Sequence, residues 1–291
     1  MNKRITGIIF QIVLYLLVFI ISYFLFEYLP YELWLNVLIG DLISTAFVFF
    51  FSLIFKNSSA YDPYWSVYPF IVVLYMAIKN GFNNYFIFFF LAITIWSFRL
   101  TFNFLYTFTS LKHEDWRYEM LREKSGSMFV FVNFLGIHLF PTLIVYFCML
   151  PFIMATGEPN IYLLTTFFIL SFIFVLIEGL SDFQMHKYRK ERLTTFNRNG
   201  LWKYSRHPNY FGEIMFWWMI FIMGLAYNNN YLTIIGAVIN TFLFLFISIP
   251  LADKRQSKKP NFIEYKENTR MLLPIYKKQK ENDWYVKNLW K

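Results

Sequence analysis

Apolar residues in this chain come in long blocks separated by short polar interruptions. Ile5 to Phe26 is a run of 22 residues without a charge. A helix needs roughly 20 such residues to cross the hydrocarbon of a bilayer. Repeated along the sequence, the pattern predicts eight spans, at about 5–27, 34–55, 63–79, 85–107, 129–154, 160–185, 208–226 and 231–250. The connections 28–33, 80–84, 155–159 and 227–230 hold Asn, Gly, Pro and acidic residues and read as tight turns. Longer polar stretches lie at 109–127, 186–207 and 251–291. Lipid offers backbone groups no hydrogen bonds, so a spanning segment must satisfy its own. The expected fold class is therefore all-α: a polytopic membrane helix bundle of about eight transmembrane helices. An N-terminal pair of spans, 1–57, is expected to precede a body, 58–291, with basic cytoplasmic loops and tail.

Composition agrees. Of 291 residues, 57% are hydrophobic and 15% charged, against about a quarter charged in soluble domains. The 38 Phe fill lipid-facing positions, and Trp and Tyr at segment ends suit the interfacial belt. The net charge of +9 matters less than its placement. With the N-terminus in the cytoplasm, 25 of the 27 Lys and Arg fall in cytoplasmic segments. Lys79 alone falls outside, and Arg99 lies within a span. That asymmetry predicts eight spans with both termini cytoplasmic. Basic segments beside spans are what topology requires, so membrane lipids are the expected partners and nucleic acid is not. The localisation expected is an integral one, in a bacterial inner membrane or an endoplasmic reticulum. Cys148 is the single cysteine, which excludes an internal disulfide. Histidines at 113, 138, 186 and 207 lack paired ligand spacing, so no metal site is expected. No Gly-x-Gly occurs, which excludes the dinucleotide fingerprint and the phosphate-cradling loop.

Polar residues inside spans are the places to look for chemistry. Glu178, Asp182, His186 and Arg189, spaced 4, 4 and 3, share one face of the sixth span. Next comes Gly200-Leu201-Trp202-Lys203-Tyr204-Ser205-Arg206-His207-Pro208-Asn209-Tyr210-Phe211-Gly212-Glu213. Pro208 suits a first helical turn, whose free N–H groups favour an anion. Arg206 and His207 stand just before it. Asn209, Glu213 and Trp217 follow one another at four-residue spacing on one face. This arrangement has the shape of a nucleotide-cofactor pocket at the membrane surface; an interfacial anchor is the plainer alternative. Asp62 opens the third span, where it reads equally as a helix cap before Pro63. Asp41, Arg99 and His138 rank lower, His138 as a satisfied core residue.

Together these segments resemble the steroid 5-alpha-reductase-like membrane reductases. The resemblance rests on Asp62-Pro63-Tyr64-Trp65-Ser66, Glu114-Asp115-Trp116-Arg117-Tyr118, Ser181-Asp182-Phe183-Gln184, the Gly200–Glu213 block and the tail from Tyr265 to Pro274. It implies an all-helical enzyme that takes NADPH from the cytoplasmic side and reduces an activated carbon–carbon double bond of a lipid. By position it carries Glu178, Asp182, Arg189, Asn209, Glu213 and Trp217 into the cofactor site and likens Asp62 to the substrate acid; Arg206, His207, Tyr210 and Arg255 are further expected cofactor residues, and Asp62 is the expected catalytic one. The chain departs from the family where Tyr61 and Asp62 stand for a Gln–Glu pair, Trp96 for a tyrosine and Glu178 for an asparagine. The alternative expectation is an S-adenosylmethionine-dependent methyltransferase of the isoprenylcysteine or phospholipid type, which carries a similar Arg-His-Pro block. Ser181–Gln184 and Glu114–Tyr118 favour the reductase.

Overall fold

A computed structural model describes residues 3–79, 81, 85–191, 195–228 and 230–277. Helix dominates: 81% of the structure is helical, with no strand among the described residues. The helices are α1 Lys3–Tyr28, α2 Leu33–Ile54, α3 Tyr64–Lys79, α4 Phe86–Thr107, α5 Trp116–Ser125, α6 Phe129–Val132, α7 Phe140–Ile153, α8 Ile161–Lys190, α9 Pro208–Asn228, α10 Ile234–Leu243, α11 Ile249–Gln256 and α12 Phe262–Asn268. Seven helical stretches among the described residues are long and apolar enough to cross a membrane. The chain is a polytopic all-α membrane protein. The expected third span is present as α3, but its 16 residues rise only about 24 Å.

Two spans carry wide turns that hydropathy does not reveal. Residues Asn133–Leu139 and Phe244–Ser248 are π-helical. Each gives way to a helix with proline in its first turn, Pro141 in α7 and Pro250 in α11. Proline has no N–H to return to the carbonyl four residues earlier, and widening the turn is one way to accommodate that loss.

The chain forms two compact units. Unit 1 comprises residues 1–175 and 216–241, and unit 2 comprises 176–215 and 242–291. The 57/58 point expected to divide the chain lies inside unit 1, where α1, α2, α3 and α7 pack on one another. Buried hydrogen bonds explain the cohesion: Tyr15 donates to the Ala60 carbonyl at 2.7 Å, and Thr45 meets Thr142 at 2.8 Å. Close packing of α10 on α7 needs Gly236, since a Cβ there would strike the Phe147 backbone.

Candidate functional site

In unit 2 the polar end of α8 meets the segment that leads into α9. Ser181 to Gln184 forms the contact. Gln184 Oε1 accepts the Leu201 N–H at 2.9 Å, the Trp202 indole donates to the Ser181 carbonyl at 3.1 Å, and Asn197 reaches the Gln184 carbonyl at 3.5 Å. Gly200 turns the chain here with φ of +62°. Two motifs that looked independent in the sequence are thus one interlocked piece.

Arg206 and His207 point inward. The Arg206 guanidinium donates to the carbonyls of Thr269 (2.8 Å) and Lys266 (3.0 Å) and pairs with Asp253 at 3.2 Å. His207 Nε2 lies 2.9 Å from the other Asp253 oxygen, and Lys266 joins at 3.2 Å. Burial holds the His207 imidazole below its usual pKa, opposed by Asp253. A parallel bridge joins Ser205 to Arg270, and the Tyr265 hydroxyl donates to the Trp202 carbonyl. Asp253 and the α12 segment therefore account for Arg206 and for most of the tail motif: they fasten the C-terminal segment onto the entry to α9. The sequence offered no sign of this role, because an Arg just before a helix start also reads as an anion ligand.

A second group of cations is arranged differently. Arg189 at the end of α8, Arg255 on α11 and Lys259 beyond it lie close enough to repel one another. Arg189 also lies within electrostatic reach of Asp182 and Tyr210. Both arginines are exposed, and Lys259 reaches the Thr195 carbonyl at 2.8 Å. Asn209 donates to Asp182 at 3.4 Å, and Tyr210 stacks flat on His207 with centroids 5.2 Å apart. Glu178 and Glu213 are buried in the same unit. Of the ten expected cofactor residues, nine fall in unit 2. Trp217 belongs to unit 1, packed edge-on against Trp96 at 4.9 Å. Lys259 was not anticipated; it is one of eleven Lys and Arg between 254 and 291, and nothing in spacing singles it out.

Asp62 lies in unit 1, at the end of a 3-10 turn, Ser58–Tyr61. Its carboxylate accepts the Tyr118 hydroxyl at 2.6 Å. The rest of the Glu114–Tyr118 motif docks on the same turn. Glu114 accepts the Ser58 N–H at 2.6 Å and Arg122 at 2.8 Å, and the Asp115 N–H donates to Ser59 at 2.8 Å. Burial pushes the Asp62 carboxyl up to about 6, against the pull of Arg117 and the Tyr118 bond. Tyr118, 56 residues away in sequence, is the partner that sequence reading missed.

Residues 48–269 match a family described as a protein of unknown function, DUF1295. The chain belongs to the DUF1295 family. The matched region contains Asp62, Tyr118 and every expected cofactor residue. It begins after α1 and most of α2. No curated protein and no solved structure matches the chain.

Proposed function

We propose that this chain is a membrane oxidoreductase that uses NADPH to reduce an activated carbon–carbon double bond in a lipid or steroid-like substrate. The observation carrying the reading is the convergence of Arg189, Arg255 and Lys259 in unit 2. Three cations held within mutual repulsion, two of them exposed, suit a ligand with several phosphate oxygens. NADPH supplies such oxygens, and when bound it supplies the hydride equivalent. Its pyrophosphate and additional ribose phosphate fit the donor set better than the single carboxylate of S-adenosylmethionine. Asp182, held by Asn209, and Glu213 are acceptors for hydroxyl and amide groups. Arg206 serves this site indirectly, by fixing the start of α9.

Asp62 in unit 1 is the candidate acid. A carboxyl raised to about 6 retains a protonated fraction near neutrality and can donate to a developing enolate oxygen. Apolar spans bring a hydrophobic substrate to it from the bilayer. The Lys and Arg distribution supports a reading in which both termini and the cofactor residues face the cytoplasm, in a bacterial inner membrane or an endoplasmic reticulum. Buried Glu178 and Glu213 favour a second reading, since carboxylates also suit a sulfonium: the methyltransferase named above.

Thermal-shift titration of the purified protein with both cofactors decides between them. NADPH should raise the melting temperature and S-adenosylmethionine should not. The opposite result replaces the reductase with the methyltransferase.

A further inference from the structure

Within unit 1, α1 buries one face, along Gly7, Gln11, Leu14, Tyr15, Val18 and Ser22. Gly7, Gln11 and Tyr15 form a row on it, each about 6 Å from the next along the helix. Both neighbours of Gln11 in that row are accounted for. A Cβ on Gly7 would meet the Phe108 ring at 2.7 Å, and the Tyr15 hydroxyl donates to the Ala60 carbonyl at 2.7 Å. Gln11 therefore stands between the connection that follows α4 and the 3-10 turn that leads to Asp62. Asn57 ties the two together, donating to the Leu111 and His113 carbonyls at 2.6 and 3.1 Å. Tyr15 is within electrostatic reach of Asp62.

Gln11 is 3% exposed, and neither its amide oxygen nor its amide nitrogen has a hydrogen-bond partner. Ser58 Oγ, on the turn itself, is also buried without a partner. A glutamine that held helices together would bond across their interface. Left unbonded, the amide costs stability that a leucine of similar size would not. Its bonding capacity is open to a ligand. The amide nitrogen donates and the amide oxygen accepts. A hydroxyl answers both, whereas a ketone or an ester only accepts. The carboxylate of Asp62 disfavours an anionic headgroup in this neighbourhood. Elsewhere on α1, Ile9, Ile12 and Leu16 are exposed and suit lipid, so the helix stands between the bilayer and Gln11.

We infer that Gln11 binds the hydroxyl group of a neutral lipid alcohol and so sets the substrate class of the Asp62 site. The inference rests on the reading of Asp62 as the acid that meets the substrate. Gln11 Nε2 donates to the hydroxyl oxygen, and Oε1 accepts the hydroxyl hydrogen. No covalent bond forms or breaks at Gln11, which is a specificity residue and not a catalytic one. Asp62 and Tyr118 fall within the region matched by the family, 48–269, and Gln11 precedes it. Selection of the alcohol is thus a property of α1, separate from the acid that the matched region carries.

Thermal melts of the full-length protein in lipid nanodiscs test this, with hexadecanol as the probe and its methyl ether and hexadecane as controls. Without ligand, Gln11→Leu should melt no lower than the wild type, because it removes an unbonded amide. Hexadecanol should raise the wild-type melting temperature by about 2 °C or more. The ether and the hydrocarbon should not, and Gln11→Leu should lose the shift. NADPH, added to the same two proteins, should shift both equally. A lower melting temperature for ligand-free Gln11→Leu would make the amide a structural bond and overturn the inference. So would a hexadecanol shift that is absent from the wild type or survives in the variant. An NADPH shift without a hexadecanol shift removes the Gln11 assignment alone; the reverse removes the reductase and leaves the alcohol site standing.

Discussion

Gln184 fills the space that a side chain on Gly200 would need: a Cβ built there comes within 2.5 Å of the Gln184 amide. The same amide oxygen accepts the Leu201 N–H. The glycine is therefore required twice, for its positive φ and for the approach of Gln184.

Gly200→Ala should destabilise the protein more than Gln184→Ala does. The left-handed backbone alone costs a non-glycine residue about 1–2 kcal/mol, and displacing Gln184 adds the loss of its hydrogen bond. The double variant should recover the steric part of the loss and keep the backbone part. Thermal melts of the three proteins in detergent measure the difference. Equal melting temperatures for Gly200→Ala and wild type would show that the turn is not strained.

Arg206 and Arg189 should separate stability from binding. Arg206 and Asp253 are 8% and 7% exposed, so Arg206→Ala removes one of three partners of a buried carboxylate and the donor to the Thr269 and Lys266 carbonyls, and should cost about 1–3 kcal/mol. Arg189 is exposed. Its replacement by Ala should leave the melting temperature nearly unchanged and weaken NADPH binding tenfold or more. Arg255→Ala should behave likewise. Salt should weaken NADPH binding to the wild type, because these cations face solvent. A stable Arg206→Ala protein would mean that the Asp253 network is incidental.

The outcome for Arg206 marks where the sequence stopped being informative. Spans were legible because a bilayer imposes a length and a polarity on each one, and a 22-residue apolar run admits few alternatives. The residues of unit 2 were legible as a group, since Glu178, Asp182 and Arg189 recur at helical spacing. Their division of labour was not. Whether an arginine binds a ligand or a backbone carbonyl depends on what the tail from 262 to 271 does, and no local pattern records that. The same holds for Asp62, whose partner Tyr118 is brought to it by a docking contact 56 residues along the chain.

Asp62 gives a pH dependence with a definite sign. Its carboxyl titrates near 6 in the folded protein, above the ordinary 3.8. A raised carboxyl makes the folded state less stable as pH rises, with the loss falling between about 4 and 6 and reaching up to about 3 kcal/mol. Activity that needs the protonated acid should likewise decline as pH rises through about 6. Asp62→Asn, which cannot titrate, should flatten the stability profile and lower turnover. Tyr118→Phe removes a bond that favours the ionised form, so both midpoints should move to higher pH. An Asn variant with wild-type turnover and an unaltered profile would place the acid elsewhere.

Topology can be tested at residues the structure shows to be reachable. Asn197 is buried and bonded to the Gln184 carbonyl, whereas its neighbour Arg198 is exposed. Cysteine-accessibility labelling should therefore use Arg198→Cys and Lys258→Cys, with Cys148 replaced by alanine to remove the native thiol. Tyr231 and Leu232, 66% and 82% exposed, open the last expected span next to the 227–230 connection and supply the opposite face. The Lys and Arg distribution predicts that a membrane-impermeant reagent applied from outside labels Leu232→Cys and spares Arg198→Cys and Lys258→Cys. Permeabilising the membrane should make both of the latter react. Each lies on a segment dense in Lys and Arg, and moving such a segment across a bilayer opposes the bias that orients spans. Labelling of Arg198→Cys from outside alone would reverse the orientation and put the cations of unit 2 on the face away from the cytoplasmic NADPH pool, which would remove the proposed reductase together with the topology.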